Sequence, residues 1–341
     1  MRRRLFWGVN LALGLVGLGW VLREFGRGAL DVLSTRPSIV PLVAFVAAVL
    51  AAIVASALRW RVVLGAFPDP PALGRLFAFR AASQTLASIL PGGRVGGEPL
   101  RVWYAMQAGV PTPIAVTSVV VDRTLEMATG LPFVVAFALV LATRDVPGIE
   151  QAVIAAVVGM ASLGVAAATG IRRLRRGGLL APFVESLGRW RPGLAQHAGV
   201  VAQAEDAARR LLDEPRRLAI ALAIGVAADC LTLVQFACLL AAFGLPHAPI
   251  AVVAAVFASG AARMLPVPGG VGTVEAAEVW IFGVLGHPPE VGLAVGIATR
   301  LRDLVWAAPG LTYFLVRALW PSADVAASTA HSSTMSRGPR G

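Results

Sequence analysis

Two glycine-rich stretches carry the residues best suited to chemistry in this chain. LPGGRVGGEPLR, residues 90–101, holds Pro91, Gly92, Gly93, Arg94, Gly96, Gly97, Glu98 and Arg101. LPVPGGVGTVEAAE, residues 265–278, holds Pro268, Gly269, Gly270, Gly272 and Glu275, with Arg263 just before it. An acid-flanked arginine follows each, inside an otherwise apolar run: Asp122, Arg123 and Glu126 in the first case, Arg300 and Asp303 in the second. A charge at bilayer depth costs roughly 2.5–3.5 kcal/mol on insertion scales, so each of these groups needs a partner or a task. The i, i+3 spacing lets Arg123 pair with Glu126, and Arg300 with Asp303, on one helix face. Glu98 precedes Arg123 by the same interval at which Glu275 precedes Arg300, which places both acids to close the glycine-rich segment onto the following helix. Proton coupling, or contact with a cationic head group, is the competing role for both.

Arginine presents a fork of donors that suits phosphate. Arg94 and Arg101 are the most accessible candidates for that contact, and Arg263 plays a similar part before the second stretch. Snorkelling to the interface is the competing reading for Arg101, and Arg302 is expected to snorkel as well. Ser83, Gln84 and Ser88 stand ready either to line the segment or to pack helices. No other catalytic or metal chemistry is written into the chain. His197, His247, His287 and His331 are scattered without ligand spacing. Cys230 and Cys238 lie two helical turns apart, too far for a disulfide within one straight helix. No nucleophile–histidine set is present, so no cofactor and no metal are expected.

The elements that must position these residues follow from composition. Of 341 residues, 57% are apolar and only 14% charged, with mean hydropathy +0.74; a soluble domain carries about 25% charged residues. Continuous apolar runs of about 20 residues recur, each long enough to cross a bilayer as a helix. The net charge of +11 is all arginine on its basic side. It lacks the aromatic–basic interleaving of a nucleic-acid surface, so it is read as cytoplasmic loops meeting anionic lipid. The expected fold is all-α, a polytopic integral membrane protein. Residues 1–36 form a first span, about 5–22, and a connector from 23. The basic N-terminus would otherwise read as a signal peptide, but no small-residue cleavage site follows it. A second span, about 38–58, ends at Arg59, Trp60 and Arg61, read as an interfacial stop. Residues 71–110 form a broken hairpin, and a third span runs to 142. Span four occupies 143–170 including its preceding turn. Residues 171–217 form a cytoplasmic basic segment that contains the amphipathic piece AGVVAQAEDAARRLL. Residues 218–318 hold span five, a second hairpin at 249–287 and a last span. The tail, 319–341, is expected to be disordered.

Placing the arginine-rich ends in the cytoplasm gives about six full spans and two re-entrant hairpins, with both termini cytoplasmic. The two glycine-rich stretches align, without gaps, at one constant offset. Gly92 and Gly93 fall on Gly269 and Gly270, Glu98 on Glu275, Arg123 on Arg300, Glu126 on Asp303 and Pro132 on Pro309. Repeat one is then 37–142 and repeat two 218–318. They start on opposite sides of the bilayer, forming an inverted repeat of the kind on which secondary transporters are built. Broken backbone at membrane depth is tolerated only where protein buries it or a watery cavity meets it. Helix N-termini in such a cavity favour an anionic ligand.

ILPGGRVGGEPLRVWYAMQAGVP followed by VVVDRTLE, and RMLPVPGGVGTVEAAE followed by ATRLRD, resemble the two signatures of the lysylphosphatidylglycerol synthase transmembrane (flippase-like) family over about 40–318. The resemblance implies translocation of a lipid with an anionic or modified head group across a bacterial plasma membrane. It implies roles for Pro91, Gly92, Gly93, Arg94, Gly97, Glu98, Arg101, Asp122, Arg123, Glu126, Pro268, Gly269, Gly270, Gly272, Glu275, Arg300 and Asp303. The full synthases also carry a cytoplasmic aminoacyl-transferase domain. Only the short tail follows the last predicted span, so lysyl transfer is not expected. Two other readings stay open: an intramembrane enzyme acting on a polyprenyl-phosphate or phospholipid substrate, with Asp122 and Glu126 as acid and base, and a scaffold for lipid-biosynthesis enzymes.

Overall fold

The computed structural model describes residues 2–34, 36–67, 69–89, 97–142, 149–176, 178, 198–263, 265 and 267–319. Among them are eleven α-helices and no strand. In chain order they are α1 (Arg2–Leu33), α2 (Ile39–Leu64), α3 (Leu73–Ile89), α4 (Glu98–Gln107), α5 (Thr112–Ala142), α6 (Ile149–Arg176), α7 (Ala198–Leu212), α8 (Pro215–Ala242), α9 (Pro249–Ala262), α10 (Thr273–Val284) and α11 (Pro289–Leu319). A single 3₁₀ turn, Pro268–Gly270, separates α9 from α10. Pro91, Gly92, Gly93, Arg94 and Gly96 lie outside the described residues, as do the 143–146 turn, residues 179–197 and nearly all of the tail.

Proline sets several of the starts. Pro215, Pro249 and Pro289 each occupy the first position of a helix, where a missing N–H costs nothing. The amphipathic stretch read from sequence is α7 to the residue. Two expectations change. The connector from residue 23 is helical, because α1 runs unbroken to Leu33. The arginines at 172–176 finish α6 rather than forming a loop, and there they favourably meet the negative end of its dipole.

Two helices, α2 and α8, are long and apolar enough to cross a bilayer by length and composition. They pack along their lengths and run antiparallel. The Ser38 N–H before α2 donates to the Ala242 carbonyl at the end of α8 (2.8 Å), and Arg217 near the start of α8 reaches the Val62 carbonyl near the end of α2 (3.4 Å). Around this pair the packings match when α2–α5 are exchanged with α8–α11. Helix α3 lies on α11 and α9 on α5; α4 packs on α3 and α5, and α10 on α9 and α11. The boundaries agree as well: the offset that aligns the glycine-rich stretches carries both ends of α5 onto the ends of α11. The central core joins Phe45, Val49 and Ile53 of α2 to Phe236, Leu239 and Leu240 of α8 and to Leu293, Ala294 and Val295 of α11.

Where α11 crosses α3 the backbones nearly touch. A Cβ on Gly310 would collide with Thr85 Oγ1 and the Ala81 carbonyl, and Thr85 Oγ1 donates across to the Ala307 carbonyl at 3.0 Å. A small residue at a helix crossing gives this close approach.

Candidate functional site

The first cluster is built on α5. Asp122 is fully buried, and three arginines from three other helices converge on it. Arg59 of α2 donates to Oδ1 at 2.7 Å, while Arg101 of α4 (2.7 Å) and Arg80 of α3 (3.5 Å) reach Oδ2. Glu126, one turn on, accepts from Arg80 (2.8 Å), Arg59 (3.2 Å) and Arg123 (2.8 Å). Arg101 also holds Glu98 at 2.8 Å and lies over the Trp60 ring, 4.4 Å from its centroid. The Trp60 indole N–H is spent on Ser118 Oγ. Four helices are thus tied by ion pairs centred on a buried aspartate, with Glu98, Glu126 and Arg123 at its partly exposed rim, and such pairs hold only when both partners are present.

Several sequence expectations meet this cluster. The Arg123–Glu126 pair forms as its spacing predicts. Glu98 takes Arg101 rather than Arg123, because Arg101 sits one turn away on the same helix. Arg101, read as an accessible phosphate candidate with snorkelling as its competing role, is neither: it is 1% exposed, because Asp122 and Trp60 draw it inward. Arg59 and Trp60 do not form the expected interfacial stop. Arg59 is 1% exposed and Trp60 fully buried, since their partners lie on α5. Arg80 escapes the sequence reading altogether. One signal points to both buried arginines: Arg59, Arg80, Arg101 and Asp122 stand at equal intervals along the chain.

The second cluster organises the break between α9 and α10. Gly269, Gly270 and Gly272 all have positive φ (62°, 61° and 78°), a region that L side chains avoid. The tight turn frees two carbonyls, and Arg300 of α11 binds them both, Gly269 O at 2.7 Å and Gly270 O at 2.8 Å. The same guanidinium clasps Glu275 through Nε (2.6 Å) and a terminal nitrogen (2.8 Å), realising the pairing that the repeated motif predicts. Glu275 Oε2 also accepts the Gly272 N–H at 2.9 Å, which caps α10 in the manner of a capping-box glutamate. Arg263, at the end of α9, grips both oxygens of Asp303 at 2.9 Å. Asp303 lies 3.7 Å from Arg300, so the predicted i, i+3 pair is present but is the weaker of its contacts. Arg302 does not snorkel. It bonds Gln235 at 3.3 Å and faces the rings of Phe236 and Trp306. Arg300 and Asp303 keep 28% and 24% of their side chains exposed, somewhat more than the 19% of Arg123 and Glu126 in the first cluster.

A helical bundle with apolar membrane-length helices and ion-paired charges set inside its longest segments defines an all-helical membrane domain. The chain belongs to the lysylphosphatidylglycerol synthase transmembrane-region family, whose model matches residues 7–310. Neither a comparison with curated proteins nor one with solved structures returns a match.

Proposed function

We propose that this protein is a flippase-like transporter, not an enzyme, that moves a lipid with an anionic or modified head group across a bacterial plasma membrane. The reading takes α2–α5 and α8–α11 as an inverted repeat within about six spans and two re-entrant hairpins, with both termini cytoplasmic. The antiparallel α2–α8 pair and the matching helix boundaries support it. So do the hairpin arms. At 1.5 Å per residue, α3 (17 residues), α9 (14), α10 (12) and α4 (10) each fall short of a hydrocarbon core of about 30 Å.

The observation that carries the proposal is the second cluster. Arg300 and Arg263 stand, partly exposed, beside a glycine-kinked break and the positive N-terminal end of α10. A lipid phosphate that displaces the Glu275 and Asp303 carboxylates would take up the same donors. An apolar crevice of about 280 Å³ between α9 and α10, lined by Phe257, Ala261, Leu265, Ala277 and Trp280, offers room for part of an acyl chain. Rocking of one repeat against the other would alternate access to the site.

The test is leaflet exchange. The full chain is reconstituted into vesicles containing fluorescent phosphatidylglycerol or its aminoacylated form, and label in the outer leaflet is quenched chemically. Exchange faster than in protein-free vesicles is expected for at least one lipid. Exchange at the protein-free rate for both lipids would overturn the proposal.

A further inference from the structure

Glu278 differs from every other acid of the two clusters. Asp122, Glu126, Glu98, Glu275 and Asp303 each have at least one arginine within salt-bridge distance. Glu278 has none among the described residues, although it is 0% exposed. Its Oε1 accepts the Ser259 hydroxyl of α9 at 2.6 Å, and its Oε2 is buried without a hydrogen-bond partner. The contrast sharpens at the positions that the repeat alignment pairs. Where α4 has Arg101 bonded to Asp122, α10 has Glu278, and α11 has the uncharged Thr299 in place of the aspartate. The second hairpin therefore seats a carboxyl group where the first seats a guanidinium, and gives it no counter-charge.

The surroundings of Glu278 are few. From α9, Ser259 faces it, and Arg263, one turn on, donates to the Ser259 carbonyl. On its own helix, Glu275 stands one turn back. On α11, Arg300 and Asp303 are committed to Glu275 and Arg263. A Cβ on Gly292 of α11 would press on the Glu278 carbonyl, which keeps the two backbones in contact there. Helix α1, the remaining helix packed on α10, sends no bonded group to Glu278 among the described residues.

We propose that Glu278 is a proton-binding site that couples movement of the second hairpin to proton uptake and release. The coupling to lipid movement rests on the transport reading above; the proton site itself does not. In the arrangement seen, the carboxyl is neutral and takes the Ser259 hydroxyl. On release the O–H bond at Oε2 breaks, the electron pair stays on the oxygen and the proton passes to water. An ionised carboxylate is not tolerated in so dry a place without a partner. It draws in water, or it draws Arg263 away from Asp303; either change loosens the contact of α9 with α10 and α11. Proton binding and hairpin opening are then linked equilibria.

Two measurements on the full chain separate the parts. Infrared difference spectra of the protein in lipid nanodiscs, recorded across a pH series, read the carboxylic-acid C=O stretch without any transport. A band that vanishes at high pH and is missing in Glu278→Gln is expected; a wild-type spectrum without it, or a variant that retains it, overturns the proton site. Should Glu278→Gln not fold, Ser259→Ala serves instead. Loss of the hydroxyl donor must move the band and its midpoint, and an unchanged band overturns the assignment. The second measurement is exchange of fluorescent phosphatidylglycerol against pH. Wild-type exchange is expected to change by up to about tenfold per pH unit through the titration, and Glu278→Gln to be flat. A variant that keeps the wild-type pH profile overturns the coupling. Wild-type vesicles with no exchange overturn the transport reading and the coupling with it, while the infrared spectra still decide the proton site.

Discussion

The two charged clusters occupy matching positions and are built to different ends. In the first, arginines from α2, α3 and α4 enclose Asp122 and Glu126, and Asp122 itself is fully buried. In the second, Arg300 and Asp303 keep about a quarter of their side chains exposed, and Arg300 spends two of its bonds on backbone carbonyls of a turn. A buried network of ion pairs fixes helices relative to one another. A more exposed network that holds a loop can exchange its partners for a ligand. On the transport proposed above, the first cluster would serve as a lock between helices and the second as a latch.

Substitutions tell lock from latch, and the largest effect is expected in the lock. Asp122→Ala leaves three buried guanidinium groups short of a counter-charge, and loss of one partner from a buried pair costs about 3–5 kcal/mol. Thermal unfolding of the detergent-purified chain should show this loss; a change within about 0.5 kcal/mol would mean that the cluster is not a lock. Gly310→Ala comes next. Its new methyl meets the backbone of α3, so a cost of about 1–3 kcal/mol is expected in the same assay. Wild-type stability there would show that the α3–α11 crossing is looser than described. Arg300→Gln probes the latch. Its stability should fall by about 1–3 kcal/mol, because Glu275, 3% exposed, keeps the Gly272 N–H but loses its counter-charge, whereas lipid exchange should fall at least about tenfold. The smallest effect belongs to the exposed pair Asp206–Arg210 on α7. Asp206→Ala should stay within about 0.5 kcal/mol of wild type, and a larger loss would show that α7 contributes more than a solvated face.

The helices are legible in the sequence wherever composition changes abruptly. Proline opens α8, α9 and α11, and the glycines at 269, 270 and 272 mark the break. The Arg123–Glu126 and Glu275–Arg300 pairs are legible because a spacing or a repeated motif names both partners. Arg59 is not. Beside Trp60, near a helix end, it has the pattern of an interfacial anchor, and only the packing of α5 against α2 reveals Asp122 opposite it. Arg302 is hidden for the same reason: its partners Gln235 and Phe236 lie on another helix, far away along the chain. Glu278 reads as one more residue of an apolar helix, because its significance lies in a missing partner, and a missing partner leaves no trace in sequence.

Transport by the latch is decided by comparing wild type with Arg300→Gln, each verified as folded, in vesicles containing fluorescent phosphatidylglycerol or its aminoacylated form. Wild type should exchange at least one of these lipids well above the protein-free rate, and the variant should stay near that rate. A folded Arg300→Gln protein that moves lipid as fast as wild type would show that the second cluster does not handle the head group.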